Sequence, residues 1–427
     1  MSSTPDFPEQ AASPAVPETP PPVVRHPLTR PHFRNLWLGS TVSLLGDQFY
    51  LVALPWLVLQ LTGSSVALGT ILMTAAIPRA AFILVGGAVI DRFSARRVMM
   101  TTATLRTLLV GTVAALIWWK LIELWHLYLL TFAFGLADAF SFPAGPTLIP
   151  TLVEPAQLRP ANALLQSSTV MTQMIGPAPA GLAIKSWGIA SALFFDALSF
   201  LVVIAALFRI PDPPKAPPPP AAPGAPGRPS MLHSIGEGLR AVRSDPPLLG
   251  LMVIFAAINF CVSGPIAVGL AAMAKFRFGS PAAFGTLLSC FSGGTLVGLL
   301  LGGRVKRPRR RGLQFIVMSG ICGLELIVIG LVTKLAVIAA LLALMGLGVG
   351  FVNVQFSAWL QMRVDRALLG RVMSVLMFSA VGLVPVSYAA AGFLAKWSLP
   401  AVFITAGAVL ALTSALTVTG RAAREID

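Results

Sequence analysis

Phe200-Leu-Val-Val-Ile-Ala-Ala-Leu-Phe208-Arg209-Ile210-Pro211-Asp212-Pro-Pro-Lys-Ala-Pro-Pro-Pro-Pro220 sets an unbroken apolar run against a stretch that no helix survives. Ten of the twenty residues in 211–230 are proline. Each proline fixes φ and removes a backbone donor, so this stretch reads as an extended, polyproline-like linker. The apolar run before it, 190–209, has about the 20 residues that cross roughly 30 Å of hydrocarbon. Working outward, the same reading gives earlier spans at 35–61, 66–90, 98–119, 124–146 and 161–185. After the linker it gives 248–273, 281–303, 312–333, 335–357, 371–395 and 399–420. Six spans, a linker and six spans predict an all-α membrane protein with twelve transmembrane helices. Several connections are very short, Thr62–Ser65 among them, which forces antiparallel neighbours.

Composition agrees with a lipid solvent. Of 427 residues, 56% are hydrophobic and 11% charged, with a mean hydropathy of +0.81. A soluble domain carries roughly a quarter charged residues. The net charge of +15 invites a nucleic-acid reading, and placement argues against it. Of 31 Lys and Arg residues, 23 fall in the tails, the linker and alternate loops. Six lie in the opposite loops (Lys120, Lys185, Lys275, Arg277, Lys334, Lys396), and Arg79 and Arg106 lie within spans. That asymmetry is the positive-inside pattern, so both termini are expected in the cytoplasm of a bacterial cell and no nucleic acid is expected as a partner. Cys261, Cys290 and Cys322 all sit in apolar spans and read as packing residues.

The expected organisation is a disordered cytosolic tail (1–34), a six-helix bundle (35–209), a linker with a surface helix (210–247), a second bundle (248–420) and a short tail (421–427). No cleavable signal peptide is visible. Leu232, Ile235, Leu239 and Val242 fall at helical spacing beside Arg240 and Arg243, which predicts a helix on the inner membrane surface. Gly86-Gly87 before a basic loop recurs as Gly302-Gly303 before Arg304, Lys306 and Arg307, a weak internal echo of a duplication.

After span 2 the chain reads Gly87-Ala-Val-Ile-Asp91-Arg92-Phe-Ser94-Ala95-Arg96-Arg97. This resembles the signature loop of the major facilitator superfamily, with Ser94 at the second glycine position and Ala95 at a basic one. The resemblance implies the major facilitator fold, two pseudo-symmetric six-helix bundles, and a cytoplasmic gate. In that gate Gly87 allows close helix approach, Asp91 faces the N-terminus of span 11, and Arg92 and Arg96 pair with acids across the opening. Leu45-Gly46-Asp47, Ala53-Leu54-Pro55-Trp56, Pro160-Ala-Asn162, Asp196-Ala-Leu-Ser-Phe200 and Gly370-Arg371-Val-Met-Ser374 look like the drug and metabolite exporter branch that includes macrolide and enterobactin exporters. Gly176-Pro177-Ala-Pro179-Ala-Gly181 resembles the antiporter signature of exporters, a bend with tight packing; a plain proline kink is the other reading.

Ionisable residues inside spans are functional candidates because burying one alone costs several kcal/mol. Counting from the linker-side ends at 1.5 Å per residue, Asp47 and Arg79 lie about 18 and 17 Å deep. Arg106 and Asp138 each lie about 12 Å deep. Two depth-matched pairs are therefore expected, Asp47 with Arg79 and Arg106 with Asp138. Either Asp47 exchanges protons between the two faces while Arg79 tunes it, or the pair is a static lock between spans 1 and 2. For Arg106 and Asp138 the structural role leads. Glu325, about 18 Å deep in span 9, either attracts a cationic substrate or bonds a neighbouring helix. Gln48 and Asn259 are candidates for hydrogen bonds to substrate, and Asp196 reads as a local partner near the start of span 6.

These readings predict a monomeric secondary transporter that exports a largely apolar small molecule by alternating access, driven by proton re-entry. Export of a dedicated siderophore or lysophospholipid is the nearest rival, and a transport-silent receptor or scaffold the rival from another class. No catalytic set, metal-ligand spacing, Walker motif or cofactor motif supports an enzyme or an ATP-driven pump.

Overall fold

The computed structural model describes residues 26–212, 236, 239–240, 242–305, 311–364 and 366–419, without the side chains of 84, 85, 87, 88, 91, 311, 312, 366, 367, 374, 378, 418 and 419. Tail residues 1–25 and 420–427, the linker 213–235 and loop residues 306–310 lie outside the described residues, and with them the expectations that fall there. Every described element is a helix. In chain order the spans are 1 (Pro31–Thr62), 2 (Ser65–Arg92), 3 (Ala95–Trp118), 4 (Leu124–Leu148), 5 (Leu158–Ile175 continued by Pro177–Trp187) and 6 (Ile189–Phe208). After the linker come 7 (Pro246–Gly264, continued through wider turns to Phe278), 8 (Pro281–Arg304), 9 (Arg311–Leu331), 10 (Leu335–Arg363), 11 (Arg366–Gly382 and Val384–Trp397) and 12 (Leu399–Thr419).

Eleven of these rods are long and apolar enough to cross a membrane. The twelfth, span 5, is interrupted at Gly176-Pro177. The Gly176 amide still donates to Thr172 (2.7 Å) and its carbonyl accepts from Ala180 (3.1 Å), so the bend does not break the rod. Loops are short because turn chemistry sits at the span ends. Gly63, at φ 62°, closes span 1 in the left-handed region that a side chain resists. One residue on, the Ser64 hydroxyl accepts from the Ala67 amide at 3.2 Å and opens span 2.

Odd spans start at the end that carries the linker, and even spans return to it. Trp118, Trp119, Trp125, Trp187 and Trp397, five of the chain's eight tryptophans, are each more than half exposed at the opposite, far end. Such rings, apolar with one N–H, settle at a membrane–water interface.

Within each half, small residues let helices touch backbone to backbone. Gly294 and Gly298 of span 8 face Ala343 and Leu347 of span 10, while Gly346 and Gly350 of span 10 face Phe291 and Thr295 in return. A Cβ at any of these four glycines would collide with main-chain atoms, so the seam tolerates no side chain. The same arrangement joins spans 2 and 4, where Gly135 meets Ala75 and Gly86 meets Ala139. This repetition is the structural form of the two-fold relation between the halves.

Contacts between the halves gather towards the far end. Gly69 of span 2 abuts Gly392 and Tyr388 of span 11, and on the other side Gly181 of span 5 abuts Pro281 at the start of span 8. Lys275 of span 7 lies over the ring of Trp56 in span 1, 4.7 Å from its centroid. At the linker end, ion pairs instead tie each half to itself. Arg30 pairs with Glu154, and Arg363 grips Asp245 with two bonds of 2.8 and 3.0 Å. These two pairs occupy equivalent places in the two halves with the charges exchanged. Of the expected surface helix, residues 236, 239–240 and 242–244 are helical, and Val242 is buried in the second half's core beside Leu248, Phe315 and Trp359. That apolar side chain finds protein, not lipid.

Candidate functional site

Two neighbouring features occupy the middle of the protein: a cluster of charges inside the first half, and an apolar chamber between the halves. Arg106 centres the cluster. It projects from span 3 between the rings of Phe134 and Phe200, 4.9 and 5.5 Å from their centroids, with its side chain 11% exposed. Its guanidinium bonds Asp138 on span 4 and lies 3.9 Å from Asp47 on span 1. Arg79 of span 2 meets the other oxygen of Asp138 at 3.4 Å. One carboxylate therefore bridges two cations.

The expected pairing of Asp47 with Arg79 is corrected by this geometry. Depth along the membrane fixed heights but not directions. Spans 2 and 4 run backbone to backbone along the Ala75–Gly135 and Gly86–Ala139 seam. Asp138 sits on that seam, so Arg79 finds the acid of span 4 and leaves Asp47 to Arg106.

Asp196 is the site residue that the sequence reading misplaced. It is fully buried, and neither carboxyl oxygen has a hydrogen-bond partner among the described residues. It is no partner of a helix start: it lies seven residues beyond Ile189, pressed against span 1 at Gly46. The charges acting on it are those of Asp47 and Arg106. Its position as the single charged residue of the otherwise uncharged run Ile189–Phe208 is the signal that should have placed it with the deep charges.

The chamber has a volume of about 320 Å³ and is walled by both halves. Tyr50, Leu54 and Leu72 come from the first half, and Ser263, Phe284, Phe291 and Tyr388 from the second. Only Tyr50, Ser263 and Tyr388 bring side-chain polar groups to its thirteen-residue lining. Two of the chain's three tyrosines are thus spent here, a scarcity that was visible in the sequence. Tyr50 also stacks on Phe134 at 4.5 Å, the ring that holds Arg106, so it joins chamber and cluster.

Other candidates lie elsewhere. Gln48 is not in the chamber; it is buried against Gly176, whose missing side chain makes room for it. Pro177 follows, and the Ala178 amide beyond it donates to Ser289 of span 8 at 3.1 Å. The bend Gly176-Pro177-Gly181 therefore faces span 1 on one side and the second half on the other. Asn259 lines a separate space of about 130 Å³ with Ser319, Cys322 and Asn353, inside the second half. Glu325 is buried one turn above Cys322, with one oxygen unpartnered, and lines neither space.

At the linker end, Gly87 and Asp91 lie in the last turns of span 2, and the surroundings of Gly87 and the side chain of Asp91 are outside the described residues. Arg92 is exposed over Phe93. Arg96 does not pair across the opening between halves. It donates to the Leu207 carbonyl at 2.9 Å and pairs with Asp212, just past span 6 of the same half, at 3.4 Å. Arg97 and Ser94 bind the same carboxylate at 3.0 and 2.9 Å. The Ser94 hydroxyl, ahead of the two guanidiniums, holds the Asp212 carboxyl below its ordinary range. Span 3 packs along span 6, which brings the loop's bases to Asp212 before any acid of the other half.

Comparison with known proteins agrees with this fold. The family model of the Major Facilitator Superfamily matches residues 36–386. The chain is 25% identical over 350 residues to macrolide efflux protein A of Streptococcus pyogenes, covering 80% of this chain and 84% of that protein. It is 28% identical over 400 residues to the multidrug efflux pump Tap of Mycobacterium tuberculosis, covering 91% and 93%. Its fold is similar to the crystal structure of a bacterial homologue of the iron transporter ferroportin in the inward-facing state, with a TM-score of 0.67 at 16% identity over 91% of this chain and 99% of that one.

Proposed function

The chain belongs to the major facilitator superfamily, a family of transporters rather than enzymes, and from that premise we propose that this multi-pass protein of the bacterial cell membrane exports a neutral, largely apolar small molecule in exchange for protons. The observation that carries the reading is the chamber itself. Its lining of apolar side chains with two tyrosine hydroxyls and one serine matches a greasy molecule with few hydrogen-bonding groups. Among the described residues no charged side chain lines it, so an ionic substrate would lose its hydration without replacement. The names of the similar efflux proteins favour the export direction.

In this reading the linker end is cytoplasmic, as the basic loops suggest, and the far-end contacts hold the protein open to the cytoplasm. The chamber changes sides when Lys275 leaves Trp56, Ser289 releases the Ala178 amide and the halves rock about it. Because one chain supplies both walls, the working unit is a monomer. Proton exchange is assigned to the charge cluster of Asp47, Arg79, Arg106 and Asp138 with the neighbouring Asp196, and the cluster touches the chamber through Tyr50. Efflux of a graded panel of fluorophores from proteoliposomes tests the substrate class. Neutral apolar compounds should move, and anionic analogues of equal size should not. Equal transport of both would defeat the reading.

A further inference from the structure

We propose that Asp196 is the carboxyl that carries the exchanged proton, an assignment that rests on the proton-coupled reading above. Three carboxyls (Asp47, Asp138, Asp196) and two guanidiniums (Arg79, Arg106) meet in the first half. Fully ionised, the group is left with one negative charge, and one proton balances it. Asp138 is held by two cations and Asp47 lies against Arg106. Asp196 alone has no ion pair or hydrogen bond among the described residues, although it is 0% exposed. An unpaired carboxylate there would cost several kcal/mol, and the neutral acid far less.

The groups that surround it are few. Span 1 presents Asp47 and Tyr50, and span 3 presents Arg106. Span 6 adds only Ser199, whose hydroxyl is spent on the Asp196 carbonyl at 2.7 Å. The half-span Pro177–Trp187 brings Lys185, which is exposed at its far end. Among the described residues, Arg106 is thus the cation whose charge acts on Asp196, and it would receive the carboxylate once the proton leaves. Gly46 fixes the arrangement, because a Cβ there would stand 2.8 Å from the carboxyl oxygen and 2.7 Å from Ser199 Cβ.

A cycle follows with simple balance. The Asp196 carboxylate takes a proton from water on the far side, becomes the neutral acid, and releases that proton to cytoplasmic water. On release, Arg106 turns from Asp47 towards the new carboxylate. Arg106 shares the Phe134 ring with Tyr50, so that turn reaches the chamber wall and couples proton loss to substrate capture.

Infrared difference spectra of the purified protein across a pH titration, together with proteoliposome transport of the neutral fluorophore N-phenyl-1-naphthylamine, test this. In a Glu325→Gln background, which removes the other buried carboxyl with an unpartnered oxygen, the protein should show a protonated-carboxyl band that Asp196→Asn removes and Asp47→Asn keeps. Asp196→Asn should also lose gradient-driven efflux and its pH dependence while keeping measurable downhill exchange. Should the amide not be tolerated in the membrane, Asp196→Ser gives the same reading. A band that persists in the Asp196 variant overturns the assignment and leaves proton coupling standing. A wild type with the Asp196 band but no gradient-driven transport would instead defeat the coupled reading, and with it the role of Asp196 as carrier.

Discussion

Arg79 reaches Asp138, not Asp47, at 3.4 Å, so the acid of span 4 is shared by two guanidiniums while the acid of span 1 leans on Arg106 alone. This unequal sharing divides the cluster into a fixed part, Arg79–Asp138–Arg106, and a looser part made by Asp47 and Asp196. A proton-coupled transporter needs both. On the proposed proton coupling, the fixed part keeps span 2, span 3 and span 4 together while the looser part changes its charge.

The fixed part should fail when its shared acid is neutralised. Asp138→Asn strands two cations, of which Arg106 is well buried, and is expected to cost about 3 kcal/mol. Asp47→Asn should cost clearly less, because Arg106 keeps its bond to Asp138. Thermal unfolding in detergent compares them. A larger loss for Asp47→Asn would mean that the sharing described here is not the one that stabilises the protein.

Closure at the far end should weaken when its cross-half bonds are removed. Ser289→Ala leaves the Ala178 amide without its partner, and Lys275→Gln removes the cation over Trp56. Each bond is worth about 1 kcal/mol. The double variant should expose a cysteine introduced at Leu54 to a membrane-impermeant reagent from the far side faster than the single ones do. Unchanged labelling would remove these residues from the gate.

Asp245 gives a pH prediction outside the membrane. Its bond to Arg363 is the first cause of a carboxyl held below the ordinary 3.8, and its cap on the Leu248 amide adds to it. A depressed folded value stabilises above the unfolded one, and that stability is lost as pH falls through the folded value. Asp245→Asn should therefore cost about 1 kcal/mol near neutrality, a figure limited by solvent screening. The difference from wild type should shrink only when the pH drops below about 4. A difference that already vanishes between pH 7 and 5 would show that the pair contributes nothing.

The spans were legible in the sequence because lipid demands about twenty apolar residues with all backbone bonds satisfied within the helix. The 190–209 run appears as Ile189–Phe208, and 281–303 as Pro281–Arg304. Depth was legible too, which is why Arg106 and Asp138 were matched. Direction around the helix was not, and most misses in the site have that origin. Arg79 turns along the span 2–span 4 seam, Asp196 turns into the bundle, Arg96 turns to Asp212, and Gln48 turns to Gly176. Seams of small residues decide these directions, and they become readable only once it is known which glycines face which helix.

Coupled movement through the chamber is the central claim, and proton flux driven by substrate alone tests it most directly. Proteoliposomes with a trapped pH indicator and no imposed gradient receive N-phenyl-1-naphthylamine on one side. Substrate flowing through the wild type should move protons in the opposite direction, and Leu288→Arg, which places a charge in the chamber wall, should stop both fluxes together. Substrate movement with no accompanying proton movement, or proton movement that survives Leu288→Arg, would contradict it.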